Sequence, residues 1–465
     1  MSNAKIAVVT QAVKLADETA GLNRTSYIAE LLAKEGYEVD LLTSTFQHWE
    51  KKRRNIVDPK YHELPYEVIF IEEPGYSSNI NPARIYSQGV FSKNLRRYLE
   101  RYGTDYDLVW CQIPPNNIAA DAGSFAREHD IPFVVDINDL WPEAMKMVAD
   151  IPVLSDFAFS GFQRDAAIAY ASASAAVGTS HEYTHHCLQD IPHLTVYVGG
   201  DIAYFDEGVE RHTPSITKGD DEFWVIYAGS LARSYDVATL IRACELAEPV
   251  IAEELDKRLS LYILGDGPNR PGLEKLAEDI DAPAVFTGYV DYQIMAAYLK
   301  ASDVLVNSLI KGAPQSIVSK IADYLCAGRP IINTGESREF RDKCTQDGFG
   351  VNVEPENVAE LAGAIIALAQ DKDACDEMGM RGRKIAEAQF DRPVAYRAIV
   401  ELVNDLLDGM RDEEQRRPMR DELLDAVLAL LLEAKITNGE RLVDNEDIGR
   451  GNGCDGKGDA RDHTR

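Results

Sequence analysis

Apolar positions along this chain recur with two different periods. Short, largely unbroken apolar runs (KIAVVT from Lys5, YEVDLLT, YEVIFI, YDLVWC, PFVVDI, SAAVGT) alternate with stretches such as LNRTSYIAELLAKEG, where apolar residues return every three or four positions. The first pattern predicts strands and the second helices. Strict alternation of the two predicts a parallel sheet covered by helices on both faces. From Gly200 to Glu222 the periodicity lapses into Gly, acid and turn formers, which places a linker at 200–222. The alternation then resumes: FWVIYAG, a helix over Val237 to Leu255, LSLYILG, a helix after Pro271, AVFTG, a helix near Ile294 to Leu299, DVLVNS and PIINT.

The expected fold class is therefore α/β, with two facing Rossmann-like domains, residues 1–199 and 223–410, each built on a parallel sheet. Residues 411–465 form an acidic tail, helical around DELLDAVLALLLEAK and then poor in apolar residues and expected to be disordered. Open α/β sheets bind ligands outside the carboxyl ends of their strands, so two such edges facing across a hinge predict a cleft.

One stretch carries chemistry that a solvated helix does not need. QSIVSKIADYLCAGRP, Gln315 to Pro330, predicts a helix beginning near Gln315 or Ser316 and ending at Gly328, a left-handed C-terminal position, with Pro330 as the stop. On that helix Ser316, Lys320 and Asp323 share one face, and Ile317, Ile321 and Leu325 occupy the buried one. Gln315 to Asp323 spans eight residues, about 12 Å at the helical rise. That matches a sugar and a ribose joined by a diphosphate. A solvated face with an incidental Lys–Asp pair is the plain alternative. Two further strand-to-glycine turns point to phosphate, Gly265-Asp266-Gly267 before a helix and YAGSLARSYDVATL with Arg233 as a planar cation. A tight turn capped by Asp266 and a surface ion pair at Arg233 account for them equally well.

Composition narrows the partners. With 48 basic and 77 acidic side chains, the net charge of −29 opposes any extended contact with nucleic acid. No apolar run reaches membrane-spanning length, and the opening residues lack a signal-peptide core, which predicts a cytoplasmic protein. The seven cysteines form no C-x-x-C pair and read as reduced and structural.

Taken together, LYILGDGP, YAGSLARSYDVATLI, FTGYV with ASDVLVNS, KIADYLCAGRPII, VYVGGDIAYFD, STFQHWEKKRR and DINDLWPE resemble the family-4 retaining glycosyltransferases of GT-B fold. The resemblance covers residues 4 to about 409 and is most similar to bacterial enzymes of capsule and O-antigen synthesis. It implies transfer from a nucleoside-diphosphate sugar, UDP being the expected donor nucleotide, to a polyprenyl-diphosphate-linked glycan at the inner membrane surface, with no metal and no cofactor.

The family's Glu-x7-Glu pair falls on Gln315, facing the transferred sugar, and Asp323, on the ribose. An amide thus stands where the family has its first carboxylate. The amides of Ser316 and Ile317, with Lys320 and Arg233, face the diphosphate, because the family's Gly-Arg-x5-Lys-Gly clamp is absent here. Gly21 matches the family's glycine-rich loop near the donor phosphates, and Val290 of FTGYV lies in the donor site.

On the acceptor side, Asp136, Asn138 and Asp139 end the strand PFVVDI, and Asp139 is the candidate for orienting or deprotonating the acceptor hydroxyl, with a helix cap as the alternative. His48 and the His185-His186 pair read as surface residues. Lys51, Lys52, Arg53 and Arg54, and Lys93, Arg97 and Arg101 at four-residue spacing, offer a basic face for an anionic membrane or lipid-linked acceptor, with Phe91, Leu95, Tyr98 and Tyr102 as the apolar stripe. The rival functions are a same-fold nucleotide-sugar epimerase or hydrolase, and a noncatalytic GT-B partner subunit.

Overall fold

The structure is a computed structural model that describes residues 4–19, 23–79, 81–143, 152–187, 189–313 and 317–409. The expectations for Gly21, Gln315, Ser316 and the tail 411–465 lie outside the described residues.

Among the described residues, nine strands lie in the first half: β1 (Lys5–Val9), β2 (Glu38–Ser44), β3 (Phe46–Gln47), β4 (Lys52–Arg53), β5 (Glu67–Ile71), β6 (Leu108–Ile113), β7 (Phe133–Ile137), β8 (Ala175–Gly178) and β9 (His193–Thr195). All but the antiparallel β3–β4 hairpin form a seven-stranded parallel sheet in the order β5-β2-β1-β6-β7-β8-β9. The central strands read as apolar runs because helices cover both faces, so Ile6, Ala7, Val8 and Val9 are all fully buried. Its longer helices are α1 (Arg24–Lys34), α2 (Pro82–Tyr102), α3 (Asn116–Glu128) and α4 (Pro152–Ala171).

The second half repeats the plan with β10 (Glu222–Ala228), β11 (Arg258–Leu264), β12 (Ala284–Gly288), β13 (Val304–Asn307), β14 (Ile331–Asn333) and β15 (Gly350–Asn352), ordered β12-β11-β10-β13-β14-β15 and parallel throughout. Its helices of eight residues or more are α5 (Ile202–His212), α6 (Val237–Leu255), α7 (Arg270–Asp279), α8 (Tyr292–Ala301), α9 (Lys320–Ala327), α10 (Arg338–Asp347), α11 (Val358–Gln370), α12 (Lys372–Ile385) and α13 (Arg397–Gly409).

Two segments differ from the sequence expectation. The span 200–222 holds α5, whose N-cap Asp201 accepts from the Tyr204 N–H at 2.9 Å. Ile202, Phe205 and Val209 form its apolar stripe. Gly208 hides the pattern, and it is needed there: a Cβ would come within 2.7 Å of the Gln293 Cα on α8. At the other end, α13 does not pack on the second sheet. Ile399, Val403 and Leu407 share a core with Ile6, Val8, Leu41 and Trp110 of the first sheet.

The chain therefore crosses between the halves twice, and the crossings pair. The Gly200 N–H donates to the Phe390 carbonyl at 2.8 Å, and the Arg392 N–H to the Gly200 carbonyl at 3.0 Å. A second link is reciprocal. The Glu339 carboxylate, in the first turn of α10, accepts from the His181 and Glu182 N–H groups, each at 3.0 Å. Glu182 accepts from the Glu339 N–H at 3.2 Å and from the Ser337 hydroxyl at 3.1 Å. Each carboxylate thus satisfies orphan N–H groups at the start of the other half's helix, α10 for Glu182 and the single turn His181–Thr184 for Glu339.

Candidate functional site

The second sheet's carboxyl edge is shaped by glycines, Gly265 and Gly267 admitting backbone and Gly229 a side chain. Gly229 follows β10 at φ 147°, and Gly265 follows β11 at φ 140°. A Cβ on Gly265 would lie 1.9 Å from the Gly229 carbonyl oxygen, and one on Gly267 2.6 Å from the Leu231 carbonyl oxygen. The two loops are stitched together, the Leu231 N–H donating to the Asp266 carbonyl at 2.9 Å and the Asn269 N–H to the Leu231 carbonyl at 3.1 Å. Gly265 and Gly267 are therefore there for loop-to-loop approach. Asp266 is exposed, its Oδ1 accepts from the Gly267 N–H at 2.7 Å, and it behaves as the turn residue of the plainer reading.

Against this edge lies α9. It begins at Lys320, not near Gln315 or Ser316; the Ile321 and Ala322 N–H groups bond back to the Val318 and Ser319 carbonyls in a tighter turn. β-Branched Ile317 and Val318 favour this late start. Ile321 and Leu325 are fully buried, and Gly328 takes the left-handed C-terminal position at φ 63°, as the pattern predicts. Val290 and Ile317 are half-buried and pack on this core.

The side chain of Lys320 runs back over the Gly229 turn. Its Nζ lies 4.0 Å from the ring centre of Tyr227 and 4.1 Å from that of Tyr235. It is buried and, among the described residues, without a hydrogen-bond partner. Two aromatic faces compensate a cation only partly, by about 2 kcal/mol when desolvated. Burial accordingly pushes the amine down to about 7. A Cβ on Gly229 would stand 2.6 Å from Nζ, so this glycine opens the space in which the amine sits.

One helical turn on, Asp323 Oδ1 accepts from the Tyr292 hydroxyl at 2.7 Å, and Tyr292 is itself stacked on Tyr204. Among the described residues, no hydrogen bond to Oδ2 is found. Burial raises this carboxyl to about 6, while the Tyr292 hydrogen bond and the charge of Arg392 hold it back. The first crossing passes beside it, since a Cβ on Gly200 would be 3.7 Å from Oδ1. Lys320 and Asp323 thus stand on successive turns of one helix at this edge, Lys320 directed to Tyr227 and Tyr235 and Asp323 to Tyr292. Arg233 is exposed on the Gly229 loop, with no ion pair among the described residues.

In the first half, Asp139 follows β7 at the carboxyl edge, half-buried, accepting from the Leu140 N–H at 2.9 Å, with burial raising its carboxyl. Asp136 is unsuited to act as a base. It is fully buried and held by Arg24 through contacts of 2.9 and 3.1 Å, while Arg24 also reaches the Val196 carbonyl at 2.7 Å and the Tyr396 hydroxyl at 3.1 Å. Nothing local in the sequence announces this pair, because its partners are more than a hundred positions apart.

The basic face needs one correction. Arg54 is buried, its guanidinium on Glu18 at 2.7 and 2.8 Å and on the Ser44 carbonyl at 2.7 Å, so it is a structural ion pair and not a surface charge. Lys52 pairs with Glu50, and Arg53 reaches the Pro74 carbonyl at 3.4 Å. Lys93, Arg97 and Arg101 are exposed along α2 and, among the described residues, form no salt bridge. Phe91, Leu95 and Leu99 are buried beneath them, whereas Tyr102 is exposed, with the Arg101 guanidinium over its ring. His185 and His186 are exposed, but His48 is half-buried, its Nδ1 2.5 Å from the Tyr76 hydroxyl.

Residues 222–371, which contain this edge, match the family model described as glycosyl transferases group 1. An uncharacterized glycosyltransferase of Methanocaldococcus jannaschii is 26% identical over 143 residues, 30% of this chain and 36% of that protein. The alpha-D-kanosaminyltransferase of Streptomyces kanamyceticus is 25% identical over 182 residues, 38% of this chain and 44% of that protein. The chain thus spans less than half the length of these curated relatives. Among solved structures, Anabaena HepE in complex with UDP superposes with a TM-score of 0.63 at 14% identity, covering 86% of this chain and 100% of that one. The architecture of two parallel sheets is that of GT-B glycosyltransferases.

Proposed function

We propose that the protein is a retaining glycosyltransferase of family-4 type. It moves a sugar from a UDP-linked donor to a lipid-linked glycan of a surface polysaccharide such as capsule or O-antigen, and works without a metal. The observation that carries this is the buried Lys320 amine, held among the described residues by the faces of Tyr227 and Tyr235 alone, one helical turn from Asp323 at a strand-end edge. An amine kept dry with no anion beside it gains most when a diphosphate arrives. The match of 222–371 and the UDP-bound fold neighbour support the donor class.

In the reaction, the bond between the anomeric carbon and the diphosphate breaks, and charge grows on the departing UDP. Lys320 is placed to meet that charge in a site of low dielectric, where electrostatic stabilisation is most effective. Asp323 accepts from the ribose hydroxyls, with Tyr292 fixing its orientation. Gln315 faces the sugar, and Asp139 orients or deprotonates the acceptor hydroxyl. The exposed Lys93, Arg97 and Arg101 hold the protein to the anionic inner membrane surface as a peripheral protein. Among the described residues no helix is long and apolar enough to cross a membrane.

The test is UDP release from a panel of UDP-sugars, with and without a lipid extract containing polyprenyl-diphosphate glycans, in the presence of EDTA. The proposal expects release that requires the extract and survives EDTA. Release without acceptor marks a hydrolase, and UDP binding without any turnover marks a noncatalytic subunit.

A further inference from the structure

The first half carries a second group of cations that the donor reading does not use. The β3–β4 hairpin and the loop after β5 line an open cavity of about 420 Å³ formed by His48, Trp49, Lys51, Ser78 and Asn79, with the first turn of α2 beside it. Lys51 Nζ donates to the Asn79 Oδ1 at 2.6 Å and to the His48 carbonyl, and lies 5.1 Å from the Tyr76 ring centre. Arg84 comes to the same two residues from α2. Its Nη1 donates to the Asn79 carbonyl at 3.1 Å, and its guanidinium stands 5.9 Å from the Tyr76 ring centre and 4.9 Å from that of Trp141. Arg84 Nε is buried and, among the described residues, has no hydrogen-bond partner. Lys14 approaches from the β1 side, 5.4 Å from the Trp49 ring centre.

Among the described residues, none of Lys14, Lys51 and Arg84 is paired with a carboxylate. Glu50 is taken by Lys52, and Glu73 is held by Gln11, Ser44 and Ser87. The crowding is felt by the groups in it. Burial, then Lys51 and Arg84, push the His48 imidazole down to about 4, and burial with Arg84 lowers Lys51. Like charges gathered on aromatic faces without a counter-ion are a site awaiting an anion.

We propose that this cavity binds a phosphate or diphosphate group of the acceptor, through Lys51 and Arg84 with Lys14 at its rim. The inference rests on the glycosyltransferase reading, which supplies an anionic acceptor. Its position suits that role: Arg84 covers Trp141, two residues from Asp139, so an anion held here sets its attached glycan beside the acceptor-side carboxylate.

The test titrates inorganic pyrophosphate into the full chain by calorimetry, with UDP saturating so that the Lys320 site is occupied. Wild type binds, and Lys51→Gln/Arg84→Gln weakens binding at least tenfold while its affinity for UDP, measured separately, stays within twofold. Lys14→Gln, at the half-exposed rim, gives a smaller loss in the same direction and keeps the test open should the double variant lose UDP binding too. Absence of pyrophosphate binding by wild type, or equal binding by wild type and every folded variant, overturns the proposal. A parallel sedimentation with phosphatidylglycerol vesicles, against phosphatidylcholine controls, separates the sources of phosphate. If the double variant loses the vesicles but keeps pyrophosphate, the surface is a bilayer contact and the acceptor site is overturned. If it loses pyrophosphate and keeps the vesicles, the acceptor site stands. UDP failing to bind wild type would sink the donor reading alone, because the loss of pyrophosphate binding in Lys51→Gln/Arg84→Gln relative to wild type still reports on this cavity.

Discussion

Lys320 and Asp323 are shifted in opposite senses, and if they hold the nucleotide as proposed they set a pH window for it. Asp323, raised to about 6, loses its carboxylate as pH falls through 6 and with it the ability to accept from ribose. Lys320, lowered to about 7, is neutral in the free protein above that value and must take up a proton when a diphosphate binds. UDP affinity should therefore be greatest between about 6 and 7 and fall on both sides. Asp323→Asn should flatten the acid limb, separating it from protonation of the phosphate itself, and Lys320→Met the alkaline one. Calorimetry at pH 8.5 in buffers of different ionisation enthalpy should register uptake of up to about one proton, linked to the Lys320 shift, and none in Lys320→Met. Of these residues, Lys320 and Asp323 were legible because one helix carries both in a recognisable spacing. Tyr227, Tyr235 and Tyr292 were not, for each reaches the site from a different strand, loop or helix, and sequence spacing holds no record of such convergence.

Elements decide how these side chains are presented. The basic face of α2 consists of Lys93, Arg97 and Arg101, one on each successive turn, above a buried stripe of Phe91, Leu95 and Leu99. Reversing the three to Glu should leave UDP binding unchanged while lowering sedimentation with anionic vesicles, an effect that added salt should mimic in wild type. The reciprocal link between Glu182 and Glu339 makes a separate claim. Removing both carboxylates by Glu182→Ala/Glu339→Ala forfeits helix-terminus contacts of about 0.3–1 kcal/mol each. It should lower the melting temperature by about 2–4 °C per kcal/mol lost, and a larger radius of gyration in small-angle scattering would show that this pair holds the halves together. Long elements with a clean period, such as α6, stand where the pattern puts them. The short β9 and β15, the β3–β4 hairpin and α5 did not announce themselves, because HLT and GVN lack the apolar run that Ile331-Ile332 gives β14, and Gly208 interrupts the stripe of α5.

For the whole molecule, two parallel sheets with their carboxyl edges carrying the candidate groups were expected from alternation alone. The return of α13 to the first sheet was not, since an amphipathic helix packs equally well on either sheet and only tertiary contact chooses. The proposed roles amount to a division of labour, Lys320 and Asp323 on one half for the nucleotide and Asp139 with the Lys51–Arg84 cavity on the other for the acceptor. A crystal structure of the full chain with UDP tests this most directly. The account predicts the diphosphate within hydrogen-bond distance of Lys320 Nζ, drawn away from the Tyr227 and Tyr235 rings, and the ribose hydroxyls on the Asp323 carboxylate. UDP bound elsewhere, with Lys320 still resting on both rings, would contradict it.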